Sequence, residues 1–238
     1  MKKNGGFNEM SQDEKYKEII KKEMAKLKKP IKLKVFTSQQ IQQDGTKIRA
    51  CMDCGEFMSL LRIYEENSNG MLIIEELSID NNPELAKHYD ITRVPTILFI
   101  DNNGKEYIRY LAAPRGAEIQ PFISAVFMFA GAPNYYEATV KQNLDRIQPS
   151  TIKIMMTESC PYCPQVVAVA NAFSIASKGK IRTVVVDIMA NQDIGQFYDA
   201  AGVPYTIIND QKAISGMVGP DVILKALIGG NINIRYQY

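Results

Sequence analysis

Ile152-Lys153-Ile154-Met155-Met156, Cys160-Pro161-Tyr162-Cys163, then a helix-compatible run from Gln165 to Ser177 form the stretch that decides the fold. An apolar run before the cysteines and a helical run after them place the pair at the junction of a strand and a helix. Residues i and i+3 share one face of a helix, so the two sulfurs can meet with little backbone movement. The first thiol lies where a helix has unpaired N–H groups and the positive end of its dipole, which favour the thiolate. Thiolate is the nucleophile in disulfide exchange, so the motif reads as a reversible dithiol/disulfide switch.

Length and composition bound what can surround that switch. The chain has 238 residues, enough for one large domain or two small ones. It is 46% hydrophobic and 23% charged, ordinary for a globular protein with a sizeable core. A net charge of +2 gives no case for nucleic acid, and the lysines from Lys15 to Lys34 read as the solvated face of an amphipathic helix. No segment reaches the roughly 18 consecutive apolar residues that span a bilayer. Met1-Lys2-Lys3 is followed by Asn4-Gly5-Gly6 and not by an apolar core, so no signal peptide is expected and the expected place is the cytoplasm. All four cysteines, Cys51, Cys54, Cys160 and Cys163, fall in Cys-x-x-Cys pairs, a spacing unlike the long-range bridges of secreted scaffolds.

Working outward, the same order of elements occurs twice. Ser11-Gln12-Asp13-Glu14 has the form of a capping box opening a helix that Pro30 closes. Ile31–Thr37 and Met71–Ser78 read as strands, with a helix between them after Cys54. Asn82-Pro83 opens a short helix to Tyr89, strands follow at Thr96–Ile100 and up to Leu111, and Ala117–Ala130 reads as an apolar helix. From Asn134 the series restarts: a helix, a strand at Ile152–Met156, a helix from Cys160 to Ser177, and a strand at Ile181–Asp187. A short helix from Gln192 to Ala201, strands at Tyr205–Asn209 and Ala213–Val218, and a helix from Pro220 to Ile228 complete it. Val94-Pro95 and Val203-Pro204 each place their proline 44 positions after the first cysteine of a pair. The repeat offset of 109 residues suits a small α/β domain and is too long for a solenoid. Two domains are expected, residues 11–131 and 134–228. Residues 1–10 read as a loose terminus, and the tail from Gly229 to Tyr238 as either disordered or an added edge strand.

Each half, with Cys-x-x-Cys after its first strand and Val-Pro before its third, resembles the thioredoxin fold: a central mixed sheet flanked by helices. Cys160-Pro161-Tyr162-Cys163 matches the glutaredoxin motif residue for residue. Two such units in tandem resemble the prokaryotic protein disulfide oxidoreductases, glutaredoxin-like relatives of protein disulfide isomerase, over about residues 11–228. The resemblance implies thiol–disulfide exchange on protein substrates, with no cofactor and no metal. Cys160 and Cys51 would attack and Cys163 and Cys54 resolve, with Pro161 and Tyr162 lining the second site. Pro204 and Pro95 would be cis, and the backbone of Val203 and Val94 would pair with an extended client. A flavoenzyme of the thioredoxin-reductase type is the implied electron partner. Two other readings stay open: an electron-delivery module for a peroxiredoxin-type peroxidase, and a zinc-stabilised binding module without enzymatic activity. Against zinc, Cys54 and Cys160 lie 106 positions apart, where zinc half-sites are typically about 12–20 apart.

The chain departs from the family pattern at several positions. Where thioredoxins carry a buried carboxylate and a tryptophan, Ile154 and Ser159 stand here, leaving Glu158 as the nearest candidate to take a proton from Cys163. Gly202 stands where glutaredoxins have Thr before Val-Pro, and Thr157-Glu158-Ser159 brings no lysine before the motif, which argues against glutathione as a dedicated partner. The first pair, Cys51-Met52-Asp53-Cys54, carries an anion beside its sulfurs, which disfavours the thiolate and lowers the potential; about 30 mV corresponds to about 1.4 kcal/mol. The second site is therefore expected to handle substrate, with the first slower or specialised. The inserted stretch Ser38–Ala50, turning at Asp44-Gly45, reads as a hairpin able to act as a lid over Cys51. Deleting Gln39–Lys47 is expected to speed iodoacetamide alkylation of Cys51 in the reduced protein, measured by mass; an unchanged rate removes the lid.

Overall fold

The computed structural model describes residues 11–230; the loose terminus expected at residues 1–10 and the tail from 231 lie outside the described residues. Helix α1 (Gln12–Met24) starts as its sequence dictates. Ser11 Oγ accepts the Glu14 N–H at 3.3 Å, and the Glu14 carboxylate accepts the Ser11 N–H at 2.8 Å, a reciprocal cap. Its apolar residues Ile20 and Met24 are buried. Strand β1 (Ile31–Thr37) follows, then a hairpin of β2 (Gln39–Ile41) and β3 (Lys47–Arg49), with Gly45 at φ +83° in its turn, where a side chain would be strained. Helix α2 (Cys54–Glu66), strand β4 (Leu72–Ser78), helix α3 (Pro83–His88) and strands β5 (Thr96–Ile100) and β6 (Glu106–Leu111) come next. A 3₁₀ turn, Gly116–Glu118, leads directly into α4 (Ile119–Phe129).

The second series comprises α5 (Glu137–Asn143), β7 (Ser150–Met156), α6 (Cys163–Ala176), β8 (Ile181–Asp187), α7 (Gln192–Phe197), β9 (Tyr205–Ile208), β10 (Lys212–Ser215) and α8 (Pro220–Leu227). The expected helix from Cys160 begins only at Cys163, and the one expected to reach Ala201 stops at Phe197. The stop has a local cause: Asp199 takes a left-handed φ of +52°, as its repeat counterpart Asp90 does at +49°, a conformation Asp tolerates better than most residues. Asn82 occupies the N-cap of α3 without capping it; its amide donates to the Ser78 carbonyl at 3.0 Å instead.

The strands form one mixed sheet of eight, ordered β10-β9-β7-β8-β6-β5-β1-β4. Its two halves repeat the same arrangement, with β1 parallel to β4 and antiparallel to β5, and β7 parallel to β8 and antiparallel to β9. They are joined where β6 runs parallel to β8, Ile108 opposite Thr183 through Leu111 opposite Val186. Alternate strand residues serve opposite faces. Val35 joins the main core, whereas Phe36 meets Leu98, Ala86 and Tyr89 on the face covered by α3. On the main-core side α4 packs on α1 and α6. Phe122 of α4 sits edge-on to Tyr64, Phe99 and Tyr110 at 5.2, 5.7 and 5.4 Å, the preferred aromatic geometry. Polar groups also cross the junction: Asn171 of α6 donates to Tyr110 Oη at 2.8 Å, and Asn191 donates to the Leu111 carbonyl at 3.0 Å. Phe122→Ala is expected to lower stability by about 3–5 kcal/mol with an unchanged urea m-value; a change below about 1 kcal/mol would mean that the aromatic cluster does not hold α4 to the sheet.

Candidate functional site

At the second motif, β7 delivers the chain to Cys160, whose own N–H donates to the Thr157 carbonyl at 3.1 Å. Cys163 is the first residue of α6, so its N–H has no partner within the helix. That N–H donates to Cys160 Sγ at 3.1 Å. The pair is a disulfide with Cα atoms 5.5 Å apart. Cys163 is fully buried, Cys160 is 6% exposed, and Tyr162 projects outward. Val203–Pro204 is a cis bond. Tyr205 pairs with Met155, which sets Pro204 alongside the point where the chain leaves β7 for Cys160. The Pro204 carbonyl accepts from the Gly216 N–H at 2.9 Å, tying it to the loop after β10.

The first motif repeats this plan with different partners. Cys51 and Cys54 are a disulfide with Cα atoms 5.4 Å apart, Cys54 opens α2, and Val94–Pro95 is cis. Here Cys51 Sγ accepts from the Ser38 N–H at 3.4 Å, a loop donor at the base of the hairpin. The hairpin is tied to β4 by Glu76, which accepts both Arg49 Nε and Nη2 at 2.7 Å, together with Thr37 Oγ1 at 3.0 Å and Gln39 Nε2 at 3.2 Å. Burial raises the Glu76 carboxyl, but these donors outweigh it and hold the group below its ordinary range. Hydrogen bonds from Ser38 and Gln39 likewise lower Asp80. Two carboxylates held below their ordinary range therefore anchor the segment whose Ser38 N–H meets Cys51, and Met52 between the sulfurs is almost fully exposed.

Between the motifs runs Pro114–Glu118. Tyr64 Oη of α2 donates to the Pro114 carbonyl at 2.6 Å. Arg115 pairs with Glu158, two residues before Cys160, and reaches Glu56 of α2 at 4.0 Å. The Ala117 N–H donates to the Glu158 carbonyl at 3.0 Å. Gly116, at φ +58°, lies so close that an added Cβ would stand 2.8 Å from that carbonyl oxygen, so any side chain there is excluded twice over. Glu118 is fully buried, and neither carboxyl oxygen has a hydrogen-bond partner. Desolvation first, and the charge of Asp187 second, push its pKa up to about 8. Asp187, at the end of β8, is itself raised, chiefly by burial. Burial and the Glu118 charge also raise the phenols of Tyr64 and Tyr110.

Glu158, the carboxylate expected to serve Cys163, stands in an ion pair, and a different carboxyl is the buried one. Glu158 is engaged by Arg115 at the surface, and the buried carboxyl is Glu118, on a turn that packs against α6. Its signal was a single acidic residue inside the apolar run Ala117–Ala130. Asp187 carried the weaker one, a charge closing the run Val184-Val185-Val186. A carboxyl that changes protonation near neutral pH can both take and return a proton. Among the described residues no three Cys, His, Asp or Glu side chains converge as a metal site, and no helix is long and apolar enough to cross a membrane.

Comparison with known proteins agrees with this geometry. Residues 150–229 match the family model described as a thioredoxin domain. A protein disulfide-isomerase of Schizosaccharomyces pombe is 23% identical over 166 residues, 63% of this chain and 46% of that protein, so the chain spans about half its relative's length. Among solved structures, a protein disulfide oxidoreductase from Aeropyrum pernix superposes with a TM-score of 0.77 at 24% identity, covering 92% of this chain and 93% of that one. An alkylhydroperoxide reductase of Enterococcus faecalis, AhpF, gives 0.73 at 22% identity, covering 90% and 98%. With the repeated strand order and both cysteine pairs at strand–helix junctions, the chain has the thioredoxin fold, and residues 150–229 form a thioredoxin domain.

Proposed function

We propose that the chain is a thiol–disulfide oxidoreductase acting on protein clients, with Cys160 and Cys163 as principal site and Cys51 and Cys54 as an unequal second one. The observation that carries this reading is Cys160 Sγ held at 3.1 Å from the free N–H that opens α6, where a thiolate is stabilised. The reading assigns the sites to two units, residues 11–131 and 134–228, that share the sheet.

In the reductive direction the Cys160 thiolate attacks one sulfur of a client disulfide. A Cys160–client disulfide forms, the client S–S bond breaks, and the released client sulfur takes a proton. Cys163 then loses its proton to the Glu118 carboxylate and attacks Cys160, freeing the second client thiolate. Two electrons have passed to the client, and the protein is left as the Cys160–Cys163 disulfide. Oxidation of a client dithiol runs the same steps backwards, with Glu118 returning the proton. The backbone at Val203 and, for the first site, Val94 holds the client segment in extended form. A flavoenzyme of the thioredoxin-reductase type restores the dithiol. The likeness to the alkylhydroperoxide reductase supports a second reading, electron delivery to a peroxiredoxin-type peroxidase through the same cysteines.

Dithiothreitol-driven insulin reduction tests the site assignment. Cys160→Ser is expected to lose at least about 10-fold in rate and Cys51→Ser less than about 3-fold; equal losses would abolish the asymmetry, and no activity in the parent protein would overturn the reading itself.

Glu118→Gln tests the proton path and has a stability signature. A folded carboxyl raised to about 8 from 4.5 holds a proton that the unfolded chain has released. Stability is thus fully present below about pH 4.5 and lost as pH rises to about 8, by an amount on the order of several kcal/mol. Urea unfolding should show that slope in the parent and not in Glu118→Gln, and the variant's insulin reduction should slow by about 10-fold or more. A parental pH slope unchanged in the variant would assign the titration elsewhere.

A further inference from the structure

The helix that each second cysteine opens forms one wall of a groove, and the two grooves are repeat equivalents. The first, of about 760 Å³, lies between α1, the outer face of α2 and the segment after β6. The second, of about 670 Å³, lies between the start of α5, the outer face of α6 and the segment after β10. Both volumes are in the range that takes a ligand or several side chains, roughly 300–1,000 Å³. The repeat offset of 109 residues maps Glu56, Ser59, Leu60 and Ile63 of the first wall onto Gln165, Ala168, Val169 and Ala172 of the second, every one of which lines its groove.

Their chemistry has diverged. The first groove carries Asp13, Lys17, Arg49, Asp53, Glu56 and Arg115, three charges of each sign. The second has no charged side chain among the described residues and is walled instead by Met128, Tyr135, Tyr136 and Met217. Tyr135 is 90% exposed and Met217 55%, so apolar surface is presented to solvent there. The second groove starts within one helical turn of the motif: Gln165 lies two residues past Cys163, and Met217 follows Gly216, whose N–H holds the Pro204 carbonyl.

We infer that the second groove binds the apolar residues that flank a cysteine in an extended client, and that the first selects clients with charged flanks. The inference rests on the oxidoreductase reading and adds substrate class to it. A charged flank entering the second groove would lose its hydration with no counter-charge to meet. Apolar side chains lose nothing there, and two methionines can repack around different shapes, which suits a variable unfolded segment. The first groove offers paired charges to a charged flank and leaves them unsatisfied against an apolar one.

The test uses full-length chains with one working site each: Cys51→Ser with Cys54→Ser, and Cys160→Ser with Cys163→Ser. The substrates are two fluorogenic disulfide-linked peptides, one with Leu and Tyr beside the cysteine and one with Lys and Glu at the same positions; bis(2-hydroxyethyl) disulfide, a linear disulfide, serves as a flank-free control. The protein retaining Cys160 and Cys163 should favour the apolar peptide by about 10-fold in kcat/KM, a size typical of one side chain in a pocket. The protein retaining Cys51 and Cys54 should favour the charged one. Ala168→Glu, added to the former, should cut the preference to below about 3-fold. Equal preferences in the two single-site proteins, or a preference that survives Ala168→Glu, overturn the inference while leaving the function standing. Failure of both reduced proteins to exchange with bis(2-hydroxyethyl) disulfide overturns the function and this inference together.

Discussion

The parallel pairing of β6 with β8 is the constraint on which the remaining structure depends. Four register pairs, Ile108 with Thr183 to Leu111 with Val186, turn two four-stranded sheets into one. Once they are joined, α4 and α6 must lie side by side over the seam, and they do. The turn that leads into α4 is then trapped between the helices that carry the two cysteine pairs. Gly116 is pressed against the Glu158 carbonyl, and the Glu118 carboxyl loses water from both oxygens without gaining a donor. A buried polar group without partners costs free energy that surface ion pairs do not repay; an exposed pair such as Arg115 with Glu158 contributes about 0–1 kcal/mol. The seam therefore holds a destabilising group, and a carboxyl that gives up its proton near neutral pH is the result.

The two sites show how one backbone plan yields two environments. In both, the second cysteine is the first residue of a helix and is buried, because the helix must pack on the sheet. The first cysteine of each pair differs in its surroundings. Cys160 receives the helix's own free N–H, so its charge is stabilised by α6. Cys51 receives an N–H from Ser38, and the same short segment recruits Asp80 and, through Gln39 and Arg49, Glu76. The inserted hairpin anchors itself with carboxylates, and one of them, Asp80, is bonded to the same Ser38 whose N–H meets the first sulfur.

What the sequence made legible was whatever is local. The capping box at Ser11 and Glu14, β1, β5 and β8 at their full bounds, and the 44-residue spacing to each proline all follow from nearest-neighbour chemistry or from counting. Helix ends were less legible. The start of α6 was set by Pro161 and Tyr162 remaining outside the helix, and the end of α7 by a left-handed Asp199. The sheet junction could not be read at all, because β6 and β8 are each ordinary strands and nothing in either names its neighbour. Glu118 was missed for the same reason. Its burial comes from α6, Tyr64 and Tyr110, which lie far from it in sequence, whereas Glu158 stood two residues from Cys160 and drew attention by proximity.

That difference bears on where the second site ends. The thioredoxin pattern places a buried carboxylate on the strand that leads to the cysteines; here that strand position is Ile154, fully buried and apolar. On the proposed mechanism the carboxyl comes instead from Glu118, in the first repeat, brought into place by the β6–β8 seam and by the Ala117 N–H on the Glu158 carbonyl. Residues 150–229, the span that matches the thioredoxin domain, contain Cys160, Cys163 and Pro204 but not Glu118. On that mechanism the unit of sequence similarity and the unit of chemistry differ. A carboxyl on the local strand would serve an isolated domain, whereas one supplied across the seam makes proton transfer at the second site depend on the first repeat being folded and docked. On that mechanism, fusing the two sheets does more than pack two copies of a fold together: it completes one site with a residue of the other half.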